Sequence, residues 1–370
     1  MSSPQRLPAS LTPLDAALAA LLRGVAPVPS VELPLAEALR CMAAEMPPLS
    51  AHPAHDIAAA DGFALRARDL VGASSYSPLP LAAAPAWVEA GAAIPDGCDC
   101  VLDSDCVDVT GPIAQVVAEA TPGQGVRRAG GDIAAGSLVV EAGRRVLPRN
   151  LLIARAAGLE KLKVRRPRVA ILNIPGGTVT SGLIAESART AGADVVARTA
   201  AGRDAVSIAA AIDVNASDLL LIVGGSGVGR TDAAVTALAE RGEVIAHGIA
   251  LQPGRTSAVG RIGKTPVVVL PGASDQAFAA WWTLVLPVLD RLSGRRPRKT
   301  LKLPLARKIA SGVGIAEIVL LERKRGAWTT LAAGELSLGA IARAEAWLVV
   351  PDGSEGFAAG ADVDAYMLRE

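Results

Sequence analysis

The segment Gly224-Gly225-Ser226-Gly227-Val228-Gly229-Arg230-Thr231-Asp232 follows the apolar run LLLIV. Its glycines would let backbone N–H groups face an anion without Cβ obstruction. A helix starting near Thr231-Asp232 would add the positive end of its dipole. The chemistry this pattern suits is phosphate binding. The plainer alternative is a tight strand-to-helix turn with Asp232 as the helix cap. The loop is not a Walker A sequence, because no Gly-Lys-Ser/Thr follows. Its spacing also differs from the dinucleotide fingerprint.

Other segments offer complementary groups. Leu270-Pro271-Gly272-Ala273-Ser274-Asp275 follows a second apolar run, with Pro271-Gly272 as a turn and Ser274 or Asp275 as a cap. Asn173-Ile174-Pro175-Gly176-Gly177-Thr178 follows a third and carries no acidic or basic side chain. Asp61-Gly62 stands at a turn, Arg127, Arg128 and Asp132 surround a Gly pair, and Arg255 lies in another Gly-containing loop. Scattered carboxylates and arginines suit Mg²⁺-assisted phosphoryl chemistry, with Asp61 and Asp232 as candidate metal ligands. Each taken alone is more often a turn Asp or a solvated Arg. Cys98, Cys100 and Cys106 lack a fourth ligand at a usual zinc spacing and read as small strand residues. Three histidines and no G-x-S-x-G elbow leave little material for a nucleophile triad.

These loops need elements to hold them. Residues 168–292 alternate near-continuous apolar runs (RVAILN, DLLLIVGG, TPVVVLPG) with helical stretches at 183–192, 204–212, 231–241 and 274–292. That alternation predicts a doubly wound α/β domain, in which ligands bind outside the carboxyl ends of the strands. Upstream, helices are expected at 11–23 and 34–46, then a small β-rich segment from Asp61 to about Gly125, then a helix stopped at Gly158. The last 70 residues return to short strands, expected as a β barrel or sandwich. The chain has 370 residues, enough for two to four domains, and 51% of them are hydrophobic, which excludes wholesale disorder. Lys+Arg is 37 against Asp+Glu 36, and aromatics are only 3%. A chain without basic surplus or stacking platforms is not expected to bind nucleic acid. The longest apolar stretch has 13 residues and carries Pro287, short of the roughly 20 that cross a bilayer. No signal peptide is recognised, and four Cys read as reduced thiols, so the expected location is cytoplasmic.

The order ADGFALRARDL, AGAAIPDGCDCVL, GQGVRRAGGDIAAGSLV, RRPRVAIL, DLLLIVGGSGVGRTD, PGRTSAVG and VVVLPG resembles the molybdopterin molybdotransferases of MoeA type, related to one domain of gephyrin. The resemblance runs from about residue 11 to 368. It implies an elongated homodimer of four-domain subunits: a discontinuous domain over 8–45 and 126–165, an inserted β domain over 46–125, an α/β molybdopterin-binding domain over 166–298 and a C-terminal β barrel over 299–370. It implies a cleft that binds adenylylated molybdopterin, takes molybdate and, with Mg²⁺, releases AMP. Asp61, Asp132 and Asp232 are then the catalytic candidates. Gly224, Gly225, Ser226, Gly227, Gly229, Arg255, Pro271 and Gly272 are the ligand-binding ones.

The departures are equally specific. Phe63 replaces Tyr and Gly131 replaces Glu. Ile57-Ala58-Ala59-Ala60 replaces Asn-Ser-Ala-Met, and the turn at Pro271-Gly272 lacks its Asn-Pro. The family's Thr-Gly-Asp-Glu-Leu becomes Ile174-Pro175-Gly176-Gly177-Thr178, and the stretch after Thr178 is shortened. Ile315 and Leu320 stand where arginines are usual. Lost carboxylates remove metal ligands, and lost arginines remove anion clamps. Two functions follow: a divergent transferase, or a pterin-binding carrier for a molybdoenzyme client that has lost catalysis.

Overall fold

Strands buried on both faces need no alternation of polar and apolar residues, and Val-, Ile- and Leu-rich runs satisfy that condition. Such runs form the centre of a six-stranded sheet, β1 (Arg168–Asn173), β2 (Asp194–Thr199), β3 (Leu219–Val223), β4 (Glu243–His247), β5 (Ala258–Ile262) and β6 (Thr265–Leu270), whose edge strand β2 is largely exposed. Their order is β2-β1-β3-β6-β5-β4, with β2, β1, β3 and β6 mutually parallel and the last two antiparallel. The structure is a computed structural model and describes Gln5, Leu7, Pro8 and residues 10–368.

Successive side chains on β3 point to opposite faces and enter different cores. Leu219, Leu221 and Val223 pack with Ile184 and Ala188 of α1 (Thr178–Thr190). Leu220 and Ile222 pack with Ile208 of α2 (Ala205–Ala211) and Leu238 of α3 (Ala234–Arg241). On the α1 side the layer is completed by α4 (Ser274–Ala280), a π turn at Trp281–Val285 and α5 (Leu286–Ser293), stopped by left-handed Gly294. The helix at Leu14–Leu22 adds Ala17 and Leu21 to the same core. The sheet is therefore covered on both sides, as expected for a doubly wound α/β layer.

The chain divides into two compact units, Met1–Glu45 with Glu141–Leu147 and Lys161–Glu370, and Met46–Val140 with Pro148–Glu160. The first unit also holds the C-terminal strands Thr300–Pro304, Ala316–Lys324, Ala327–Ala333, Ala346–Val350 and Asp362–Met367. These are joined by Ile249–Gln252 and Thr12–Pro13 in one seven-stranded sheet. A bridge between Leu305 and Trp328 brings the first of them back toward the hairpin. The second unit has short strands, including Gly62–Leu65 paired with Ala86–Val88 and Cys100–Leu102. Residues 126–140, expected with segment 8–45, group with this second unit.

Three expected helices change, the one expected over 183–192 beginning already at Thr178. The stretch 34–46 is helical only over Leu35–Ala38. Arg40 turns left-handed (φ 72°), and Met42–Ala43 leaves as a strand pairing with Val164 and Arg165. The helix expected from 231 begins at Ala234, with Ala233 and not Asp232 at its N-cap.

Gln5 ties the glycine loop to the start of α3. Gln5 is 9% exposed. Its Nε2 donates to Gly225 O (3.0 Å) and Gly227 O (2.9 Å). Its Oε1 accepts from Val235 N (2.8 Å) and Thr236 N (3.2 Å) in the first turn of α3. Those amides would otherwise be orphans of the helix end.

In the second unit Cys100 is buried, and its thiol donates to Leu65 O (3.3 Å). Burial, then Asp99 and Cys98, push the Cys100 thiol up to about 11. No cysteine is paired, and no group of three or more metal-ligating side chains occurs among the described residues.

Gln5→Ala should destabilise the first unit by about 1 kcal/mol. It should also speed amide hydrogen exchange at Val235 and Thr236; unchanged exchange at both would contradict the cap. At pH 8 only roughly one part in a thousand of Cys100 would be thiolate. Iodoacetamide labelling followed by mass spectrometry should therefore be very slow at pH 8 and accelerate toward pH 11. Labelling at the rate of a free thiol would refute the buried, protonated state.

Candidate functional site

Three strand ends converge at the carboxyl edge of the sheet. Ile174 N, just past β1, donates to Val223 O (2.9 Å), and Gly224 N donates to Leu270 O (2.9 Å). Thr180 Oγ1 in α1 donates to Gly272 O (2.7 Å) and lies 2.9 Å from Ser274 Oγ. Pro271 and Gly272 thus stand beside Gly224: a Cβ on Gly272 would meet the Gly224 Cα at 3.7 Å.

The glycine loop is organised around its own carboxylate. Asp232 Oδ2 accepts from Gly229 N (3.0 Å), and side chains on Gly227 or Gly229 would stand 2.6 and 2.9 Å from that oxygen. Those two glycines make room for Asp232. Gly224 and Gly225 meet a different need, since both have positive φ, 95° and 66°. Ser226 is 1% exposed. Its hydroxyl lies 3.3 Å from Thr256 Oγ1, which ties the loop carrying exposed Arg255 to the glycine loop. The His247 Nε2–H donates to Ser226 O (2.9 Å). The amides of α3 that the sequence offered to a ligand anion are engaged by Gln5 instead.

Two residues at this edge were not singled out from sequence. Arg203 Nη1 donates to Pro175 O (2.5 Å), and its Nη2 lies 3.5 Å from Asp232 Oδ1. It joins the Asn173–Thr178 loop to the glycine loop, but a single Arg before Asp204 gives no sequence signal. Asn173 ends β1 at 4% exposure, with neither Nδ2 nor Oδ1 hydrogen-bonded. A polar residue closing the run VAILN was the available clue.

Asp61 and Asp132 belong to the second unit. Asp61 Oδ1 accepts from Ala90 N (2.7 Å), and Asp132 Oδ2 pairs with Arg127 (3.2 Å). Each expected carboxylate is therefore committed to a partner in its own unit. The loop at Ile174–Thr178 has no acid, and Arg203 supplies positive charge there. Within the first unit this leaves Mg²⁺ one candidate carboxylate, Asp232, which already accepts from Gly229 N and pairs with Arg203, a poor donor set for a dication. Asp232 braces the glycine loop, and Asp61 braces the turn at Ala90. A cavity of about 530 Å³, lined by Leu14, Leu18, Trp282, Trp347 and Tyr366 among others, holds none of the candidate residues.

The sequence matches the family described as MoeA N-terminal region (domain I and II) over residues 12–158 and the probable molybdopterin binding domain over residues 144–291. Molybdopterin molybdenumtransferase 2 of Mycobacterium tuberculosis is 32% identical over 320 residues, covering 75% of this chain and 78% of that protein. The molybdopterin molybdenumtransferase of Synechococcus elongatus is 27% identical over 408 residues, covering 96% and 99%. A crystal structure of a molybdopterin biosynthesis MoeA protein from a Pyrococcus species superposes with a TM-score of 0.71 at 26% identity, covering 98% of this chain and 100% of that one. Residues 144–291 enclose the whole edge where Asn173, Gly224, Asp232 and Gly272 meet. Sequence and fold agree: this chain belongs to the MoeA-type molybdopterin molybdenumtransferase family.

Proposed function

We propose that the chain inserts molybdenum from molybdate into adenylylated molybdopterin and releases AMP. Its place in molybdenum cofactor biosynthesis follows from the family. The observation that carries the reaction is the sheet edge, where backbone from three strand ends converges beside Gly224 and Gly225. Backbone N–H groups and open helix ends at such an edge grip anions without bulky side chains.

Each residue then has a definite task. Gly224 and Gly225 let the pterin approach the backbone closely, with Pro271 and Gly272 forming the adjoining wall. Ser226 and Thr256 hold the Arg255 loop against the glycine loop, so that Arg255 can face an anionic group of the ligand. Asp232 braces Gly229 and Arg203 and so fixes the floor. Asp61 and Asp132 are the remaining acids proposed to act in catalysis. The same proposal includes the four-domain division, a C-terminal barrel closed at Leu305–Trp328, a cytoplasmic homodimer and a molybdoenzyme client. No helix among the described residues is long and apolar enough to cross a membrane. The carrier alternative is not favoured, since the family's named members are transferases.

The test is AMP release from adenylylated molybdopterin supplied with molybdate, measured beside pterin binding. Wild-type protein should release AMP. Gly225→Leu should lower binding at least tenfold, because a side chain at φ 66° is strained and a Cβ would meet Ala234 Cβ at 3.3 Å. Tight binding with no AMP release would establish the carrier instead.

A further inference from the structure

Two helix N-termini open on this edge, and the protein treats them differently. The α3 end is filled by Gln5. The α1 end is bare: its N-cap Gly177 has no side chain, no side chain caps it, and no acid lies in its first turn. Its leading amides therefore present the positive end of a 13-residue helix. Asn173 lies against this end. Its Oδ1 is 3.3 Å from where a Cβ on Gly177 would stand, a close approach that a small shift of the carboxamide would relieve. The side chain is buried, and both of its polar atoms lack partners. A buried carboxamide so placed is rare unless something else completes it. Arg203 sets a guanidinium at the same loop, with Nη1 3.2 Å from the Cβ position of Gly176.

We infer that Asn173, the first-turn amides of α1 and Arg203 form a seat for a tetrahedral oxyanion that works without a divalent metal. The inference rests on the proposed function for the source of that anion, molybdate or a phosphate group of the ligand. Nδ2–H and the helix amides donate to the anion's oxygens. Oδ1 accepts from a protonated oxygen of the anion or from a water carried with it. The positive end of the α1 dipole, helped by a guanidinium that Asp232 shares, offsets the anion's charge. Gly176 and Gly177 place no acid beside the seat to repel the anion, and they leave the helix end uncovered.

The experiment is isothermal titration calorimetry of the full chain in EDTA, with sodium molybdate in one arm and inorganic phosphate in the other. At least one anion should bind at one site per chain. Preference for molybdate would identify the metal oxyanion as the occupant, and preference for phosphate would identify the ligand's ester. Asn173→Leu should weaken binding tenfold or more while Tm stays equal or rises, since the change removes unpaired polar atoms at similar volume. Gly177→Asp should abolish binding without lowering Tm, because its carboxylate repels the anion while favouring the helix end. Binding of neither anion, binding only after Mg²⁺ is added, or wild-type affinity in both variants would overturn the seat. Pterin binding is measured on the same protein. If it persists while both anions fail, the seat is refuted and the proposed function stands. If the pterin fails while an anion binds, the function is refuted and the seat stands.

Discussion

Burial of β1, β3 and β6 on both faces is the constraint from which the rest follows. β3 has every residue buried, so polar groups can appear only where the strands end. Parallel pairing aligns those ends: Asn173 pairs with Val223, and Val223 with Leu270. The next residues, Ile174, Gly224 and Pro271, therefore leave the sheet along one line. Helices returning along either face start at the same edge and point their amides at it. The ligand surface is thus a consequence of how the apolar runs are paired.

At that edge the chain's own groups compete with any ligand. Asp232 takes an amide of the glycine loop, and Gln5 takes those of α3. Neither interaction is spent only on stability. Asp232 also orients Arg203, and Gln5 binds carbonyls of Gly225 and Gly227 and so fixes the backbone that lies next to Gly224. What stays open is the α1 end. The loop at that end carries no acid, and Arg203, paired with Asp232, reaches Pro175 O beside it.

The layered α/β unit was legible in the sequence because continuous apolar runs have few other uses. RVAILN, LLLIV and TPVVVL became β1, β3 and β6 with almost no shift in boundary. The glycine loop was legible as a turn of special backbone, but its purpose was only partly so. Glycines 227 and 229 accommodate a carboxylate three to five residues on, a contact that composition does not reveal. The helix expected over 34–46 ends at Ala38, where Leu39 turns extended and Arg40 left-handed, a conformation an arginine seldom takes. Gln5 was invisible because its partners lie at least 220 residues away. The missing Asp-Glu pair could be read directly. That its loss uncovers a helix end beside an unsatisfied Asn173 could not, since burial and partnering belong to three dimensions.

The central claim is that an anionic pterin is held by backbone at this edge of the parallel sheet. Hydrogen exchange of the full chain, with and without adenylylated molybdopterin, tests it most directly. Slower exchange concentrated in residues 173–180 and 224–229 is the predicted result. Ligand-dependent protection confined to other segments, with these two unchanged, would contradict it.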